Sequence, residues 1–220
     1  MKRICFTFIT LLIAIVSMNA QSQLDFKLIK ETVENERQYF NDILAVYLND
    51  DPMLRTDDIA LVYYGQSYLP EYNGGNDANE ETLKTFAAEN NYNKMYATAQ
   101  KILKYNPVSL NALFQVWRAA DALGKPEEET TSYVKKYFNI LQMITTVGDG
   151  KSSKTPFRVI CPDDQDHLMY GILNIEKVYS RKLDTETLCN IITVEPSAKF
   201  QSRTMYIDVS RYLSHTAKKK

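Results

Sequence analysis

The chain has 220 residues with 26 Lys and Arg against 27 Asp and Glu, a formal net charge of −1. That balance gives no basic face of the kind that holds nucleic acid, and 200 residues beyond the first twenty are enough to bury one sizeable core without disulfide or metal staples. With only two histidines and three cysteines, spaced far apart, no zinc-binding pattern forms.

Residues 1–20 read as a secretory signal. Lys2 and Arg3 precede an almost unbroken apolar run from Ile4 to Val16, followed by Ser17-Met18-Asn19-Ala20. A positive start, a short apolar stretch and a small final residue mark a segment that is cleaved, here between Ala20 and Gln21. The run is shorter than the roughly twenty residues a membrane span needs, and no cysteine follows it to accept a lipid. The expectation is an exported chain, periplasmic, cell-surface or extracellular, with no integral membrane segment once processed.

Residues 21–147 carry helical spacing. Phe26, Ile29 and Val33, then Phe40, Ile43, Leu44 and Tyr47, predict a helix with a break near Asn35, stopped by Asn49-Asp50-Asp51-Pro52. Thr56 or Asp57 caps the next helix, which holds Ile59, Val62, Tyr63 and Tyr64 and ends before Pro70. Glu71 to Asp77 is a loop, and a short helix with Leu83, Phe86 and Ala87 follows. Tyr92, Met95, Tyr96, Ala99, Ile102 and Leu103 share one face of an α-helix. Asn106-Pro107 ends that helix. Leu110, Leu113, Phe114, Trp117 and Ala120 form the facing one, closed by Gly124 and Pro126, and Glu127-Glu128-Glu129 opens another through Ile144. Short turns between helices of this length make neighbours antiparallel. The order helix, Asn-Pro, helix ending Ala-Leu-Gly resembles a tetratricopeptide-type hairpin over about one and a half repeats.

At Gly148-Asp149-Gly150, read as a flexible interdomain turn, the pattern changes to strands. Residues 148–220 are expected to form a small α+β unit: a strand from Phe157 to Cys161, a helix capped by Pro162-Asp163, and strands over 175–183, 188–194 and 204–209 in an antiparallel sheet. Lys218-Lys219-Lys220 is a disordered basic tail. The fold class is therefore α+β, mainly α, with helical hairpins followed by a small sheet.

Two segments, YYGQSYLPEYN from Tyr63 to Asn73 and GDGKSSKTPFRVI from Gly148 to Ile160, flank the hairpin behind the signal. In this order they resemble an exported Bacteroidetes family catalogued as domain of unknown function 4919. The resemblance implies an exported protein with a tetratricopeptide-like helical part; it brings no catalytic residue and no cofactor.

No catalytic set assembles in the sequence. Phosphate-cradling glycine motifs and a nucleophile elbow are absent. Asp163, Asp164 and Asp166 beside His167 fit a helix N-terminus better than a metal site, and among so many acids no pair is marked for hydrolysis. Cys161 and Cys189 either pair as a disulfide, which export permits, or stay separate buried thiols. The best candidate surface is the aromatic set Tyr63, Tyr64, Tyr68 and Tyr72, which either packs the helices or meets a ligand. The leading expectation is a non-enzymatic module binding a protein or peptide partner. A glycan-binding protein using the tyrosines is the alternative, and a hydrolase working with carboxylates the third reading.

Overall fold

The computed structural model describes residues 24–75 and 77–217; the expected signal segment 1–20, the expected cut between Ala20 and Gln21, and Lys218–Lys220 lie outside them. Helix α1 (Phe26–Asn35) begins where the Asp25 carboxylate accepts the N–H groups of Lys27 and Leu28, at 3.0 and 3.1 Å. The expected break falls at Glu36, and α2 (Arg37–Leu48) follows. Helix α3 (Thr56–Gly65) is buried on nearly every side and runs into a 3-10 turn, Gln66–Tyr68. At its end a Cβ on Gly65 would stand 2.6 Å from the Phe40 ring, so α2 and α3 approach through a residue without a side chain.

Helices α4 (Ala78–Ala88), α5 (Tyr92–Leu103), α6 (Leu110–Ala122) and α7 (Glu127–Val147) pack in succession. Asn91 and Ser109 cap α5 and α6 through their side chains. The predicted face of α5 is the buried one: Met95, Ala99 and Ile102 meet Leu83, Ala112 and Val116 in a separate small core. The main core is continuous from α1, α3 and α7 into the sheet, so the helical part and the α+β part share apolar packing.

The sheet has the order β1-β4-β3-β2, from β1 (Phe157–Arg158), β2 (Val178–Asp184), β3 (Cys189–Val194) and β4 (Thr204–Asp208). Strand β3 is antiparallel to both neighbours, with Ile192 opposite Met205. The wholly antiparallel sheet expected from the sequence is corrected at β1, which lies parallel to β4 with Phe157 opposite Ile207. The chain leaves β1 and builds the hairpin β2–β3 before β4 returns beside it, and such a long crossover permits parallel pairing. Between β1 and β2, α8 (Asp164–Asp166) passes into a π-helical turn, His167–Ile172.

One further expectation changes, and the fold supplies two features the sequence left open. Gly148 to Thr155 is a closed loop rather than a flexible turn: the N–H groups of Asp149 and Gly150 both donate to the Thr155 carbonyl, at 3.1 and 2.8 Å, and Tyr206 N–H donates to the Gly150 carbonyl. The end of the chain forms α9 (Ser210–Ala217), whose Tyr212 and Leu213 pack on the main core. Cys161 and Cys189 are both free thiols, Cys189 buried in β3 and Cys161 at the corner before α8. Burial raises both thiols above their ordinary range, which keeps them protonated and slow to react. Intact mass after alkylation in denaturant without reductant should show two labelled thiols on the processed chain; an unlabelled pair would mean a disulfide. No helix among the described residues is long and apolar enough to cross a membrane.

Candidate functional site

The four tyrosines are divided by the fold. Tyr63 and Tyr64, side by side on α3, are almost wholly buried. The Tyr63 hydroxyl donates to Asp164 Oδ2 at 2.7 Å and accepts from Ile160 N–H at 3.3 Å. The Tyr64 hydroxyl donates to the Arg158 carbonyl at 3.1 Å, and the Tyr72 hydroxyl to the Ile160 carbonyl. The segments Tyr63–Asn73 and Gly148–Ile160 therefore meet, and three of the tyrosines staple helix and loop to the strand–helix corner at 158–164. Tyr63 and Tyr64 present no ring to a ligand. Tyr68 and Tyr72 are only half-buried; the Tyr68 hydroxyl donates to the Phe26 carbonyl at 3.1 Å and accepts from Arg211.

Asp164 is the electrostatic centre of this junction. Burial raises its carboxyl to about 7; the hydrogen bonds from Tyr63 and from Cys161 N–H oppose that rise, and the charges of Asp163 and Glu80 add to it. Glu80 is also buried and also raised, chiefly by desolvation, although Ser109 Oγ and Asn111 Nδ2 donate to it at 2.6 and 2.7 Å. Both acids line a cavity of about 60 Å³ with Tyr72, Asn106, Ser109 and Cys161, room for a few water molecules. Asn106 Oδ1 is buried there without a hydrogen-bond partner, an acceptor that water in such a polar space would serve. Each carboxylate is already bound by protein donors, so the pair reads as a satisfied junction rather than an acid and a base waiting for substrate.

The acidic cluster before His167 is likewise engaged. Asp163 pairs with Lys84 at 2.7 Å and Asp166 with Arg181. His167 sits among Phe114 and Tyr137, its Nδ1 3.1 Å from the Tyr137 hydroxyl, and burial lowers it to about 4, so its ring is neutral at pH 7. Among the described residues no group of three or more His, Cys, Asp or Glu is placed to hold a metal ion. The Asp149 carboxylate, between two glycines, accepts from Thr155 Oγ1 at 2.6 Å and Lys151 N–H at 3.0 Å. Burial works against its ionisation, but these bonds outweigh it and hold the carboxyl below its usual range.

Larger depressions run across the helical layer, and neighbouring ones share lining residues. One, at the start of α7, is bordered by Asp50, Glu127–Glu129, Lys135 and Lys136. It shares Leu48 and Tyr133 with an apolar groove of about 490 Å³ that also has Leu44, Leu103, Tyr105 and Pro107. Leu69 joins that groove to a cleft of about 640 Å³ between α1, the 3-10 turn and α9, walled by Phe26, Lys30, Tyr68, Tyr72, Arg211 and His215. These three adjoining depressions, the apolar one between two charged ones, are together termed the trough. Leu48 and Tyr105, in its middle, are 49% and 45% exposed, so the apolar wall of the groove is open to solvent.

The family described as Domain of unknown function (DUF4919) matches residues 27–218. The chain belongs to the DUF4919 family. No curated protein and no solved structure matches it. Within this DUF4919 chain the sequence pattern marked Tyr68 and Tyr72 but not Arg211, His215, Leu48 or Leu69. Their positions on the trough depend on α9 folding back beside α1, and the only local sign of that is the short apolar pair Tyr212-Leu213 inside a polar end.

Proposed function

We propose that this protein is an exported, non-enzymatic binding module that holds an extended peptide segment of a partner protein in the trough. The observation that carries this reading is the exposed apolar middle groove, bordered on two sides by charged clefts with which it shares wall residues. An apolar groove accepts alternate side chains of an extended chain, and the charged ends set its direction. Export is supported by the signal pattern of residues 1–20. A tetratricopeptide-like use of the helices is supported by the order of α5, α6 and α7 and the short turns between them. A Bacteroidetes source rests on the resemblance alone.

Against a sugar ligand stand the burial of Tyr63 and Tyr64 and the Arg211 guanidinium over the Tyr68 ring, 4.2 Å from its centroid. Those rings have less free face for a pyranose than the sequence promised.

Peptide-display selection on the chain, expressed with its own leader and purified after export, should enrich a family of peptides with spaced apolar residues. Leu48→Lys changes an exposed side chain, so folding is spared. It should weaken the selected peptides at least about tenfold, about 1.4 kcal/mol. Enriched peptides indifferent to both Leu48→Lys and Tyr105→Ser would place binding elsewhere and end this reading.

A further inference from the structure

The cleft at the α9 end of the trough is built around a cation without an acidic partner. The Arg211 guanidinium lies over Tyr68 and 5.6 Å from the Phe26 ring centroid, and donates to the Tyr68 hydroxyl. No carboxylate among the described residues is within ion-pair distance of it. Beyond the bond from Nη2 to Tyr68, its guanidinium N–H groups meet no acceptor among the described residues, which leaves them for a planar acceptor. Beside it, His215 Nε2 is buried without a hydrogen-bond partner, its ring edge-on to Tyr72 at 5.2 Å.

The surroundings reinforce the charge. Lys27 and Lys30 reach into the same cleft from α1, and Glu34 is the one acid on its described walls. Their pairs with Glu31 and Glu34 span 3.6 and 3.8 Å across exposed helix positions, contacts weak enough to yield to a better acceptor. The opposite end of the trough holds Asp50 and Glu127–Glu129 against Lys135 and Lys136, the latter paired with Asp50 at 2.8 Å, and so keeps an excess of acid where the α9 end has an excess of base.

We propose that this cleft takes the carboxylates of an acidic stretch in the bound peptide, with Arg211 making the two-pronged contact and His215 and Lys30 flanking it. The proposal rests on the peptide-binding reading of the trough and adds its polarity: acidic residues lie at the α9 end and apolar residues in the middle groove. A peptide is favoured over an acidic sugar because the cleft opens onto that apolar groove and both neighbouring tyrosine rings are already covered in part.

The probe is N-acetyl-glutamyl-glutamate, too short to span the trough, followed by NMR of the Arg211 and His215 side chains in the exported chain. Saturable shifts that weaken with salt are expected. Arg211→Lys keeps the charge but loses the fork, and should weaken binding about tenfold; Arg211→Met should abolish it. The Leu48→Lys chain should bind the dipeptide normally, which separates this site from the groove. If display yields groove-binding peptides while the dipeptide gives no saturable shift, the acidic assignment falls and the trough reading stands. Equal binding by the wild type and by Arg211→Lys also overturns the assignment. Tighter binding of tri-galacturonate than of the dipeptide overturns it in favour of an acidic glycan. Should Arg211→Met unfold, Arg211→Lys decides.

Discussion

Asp164→Asn should match the wild type in stability only below about pH 4 and exceed it by about 2–4 kcal/mol at pH 8. Asp164 is 3% exposed and its carboxyl is raised in the fold to about 7, against an ordinary value near 3.9 in the unfolded chain. Between those values the native state binds more protons than the unfolded state. Stability therefore declines as pH rises through this window, and it levels off once the carboxyl is ionised in both states. Each unit of difference is worth about 1.4 kcal/mol, which sets the upper end of the range. Asn keeps an oxygen to accept from Tyr63 and from Cys161 N–H, so the staple survives while the buried charge is gone. Two neighbours titrate nearby. Glu80 is raised and has the same sign as Asp164. His167 is lowered to about 4, so it withdraws stability as pH falls below its ordinary value of about 6.5. His167 acts in wild type and variant alike and cancels in the difference; Glu80, coupled by charge to Asp164, cancels only in part. Urea unfolding at pH 5, 6, 7 and 8 measures it. Parallel curves for the two proteins would mean that Asp164 does not ionise within this window.

Gly148→Ala should cost about 3 kcal/mol or prevent accumulation of folded protein. The backbone at Gly148 is extended, with φ −147° and ψ 161°, a conformation any residue adopts, so the cost is one of space. A Cβ there would lie 2.0 Å from the Pro156 carbonyl oxygen and 2.6 Å from its carbon. That obstacle is main chain, and it cannot swing aside: the loop is closed by the Thr155 carbonyl and leads at once into β1. Gly124→Ala is the control. Its φ of +62° strains an L-residue, but a Cβ meets nothing within 4 Å, so the conformational cost alone applies, about 1–2 kcal/mol. Equal losses for the two variants in denaturant unfolding would show that the loop yields, and the packed-turn account would fail.

The contrast between these glycines shows where sequence reading reached its limit. Gly124 closes α6 by a local rule, the left-handed residue after a helix, and it was legible. Gly148 looked like one half of a flexible Gly-Asp-Gly turn, because nothing local reveals that Pro156 folds back against it. The tyrosines divide in the same way. Their apolar bulk placed them near the helical interior, yet which rings stay half-exposed depends on partners roughly ninety to one hundred and forty residues away, at Arg158, Ile160 and Asp164 for three of them and at Arg211 for Tyr68.

What the sequence by itself determined is the local layer. The helices from α1 to α7 are set by apolar spacing, by Asp25, Asn91 and Ser109 as caps, and by the turn residues between them. The change from helix to strand after Gly148 and the mainly α, α+β class follow from the same short-range preferences. Tertiary structure alone decided the parallel pairing of β1 with β4, the folding of α9 beside α1, the two free thiols and the joining of three depressions into one trough. Each of these is a contact between segments far apart in the chain, chosen by which surfaces bury the most apolar area and leave the fewest polar groups unpaired. Periodicity carries information over a turn or two of helix. The cleft around Arg211 is built from α1, the 3-10 turn and α9, and exists only when all three are in place.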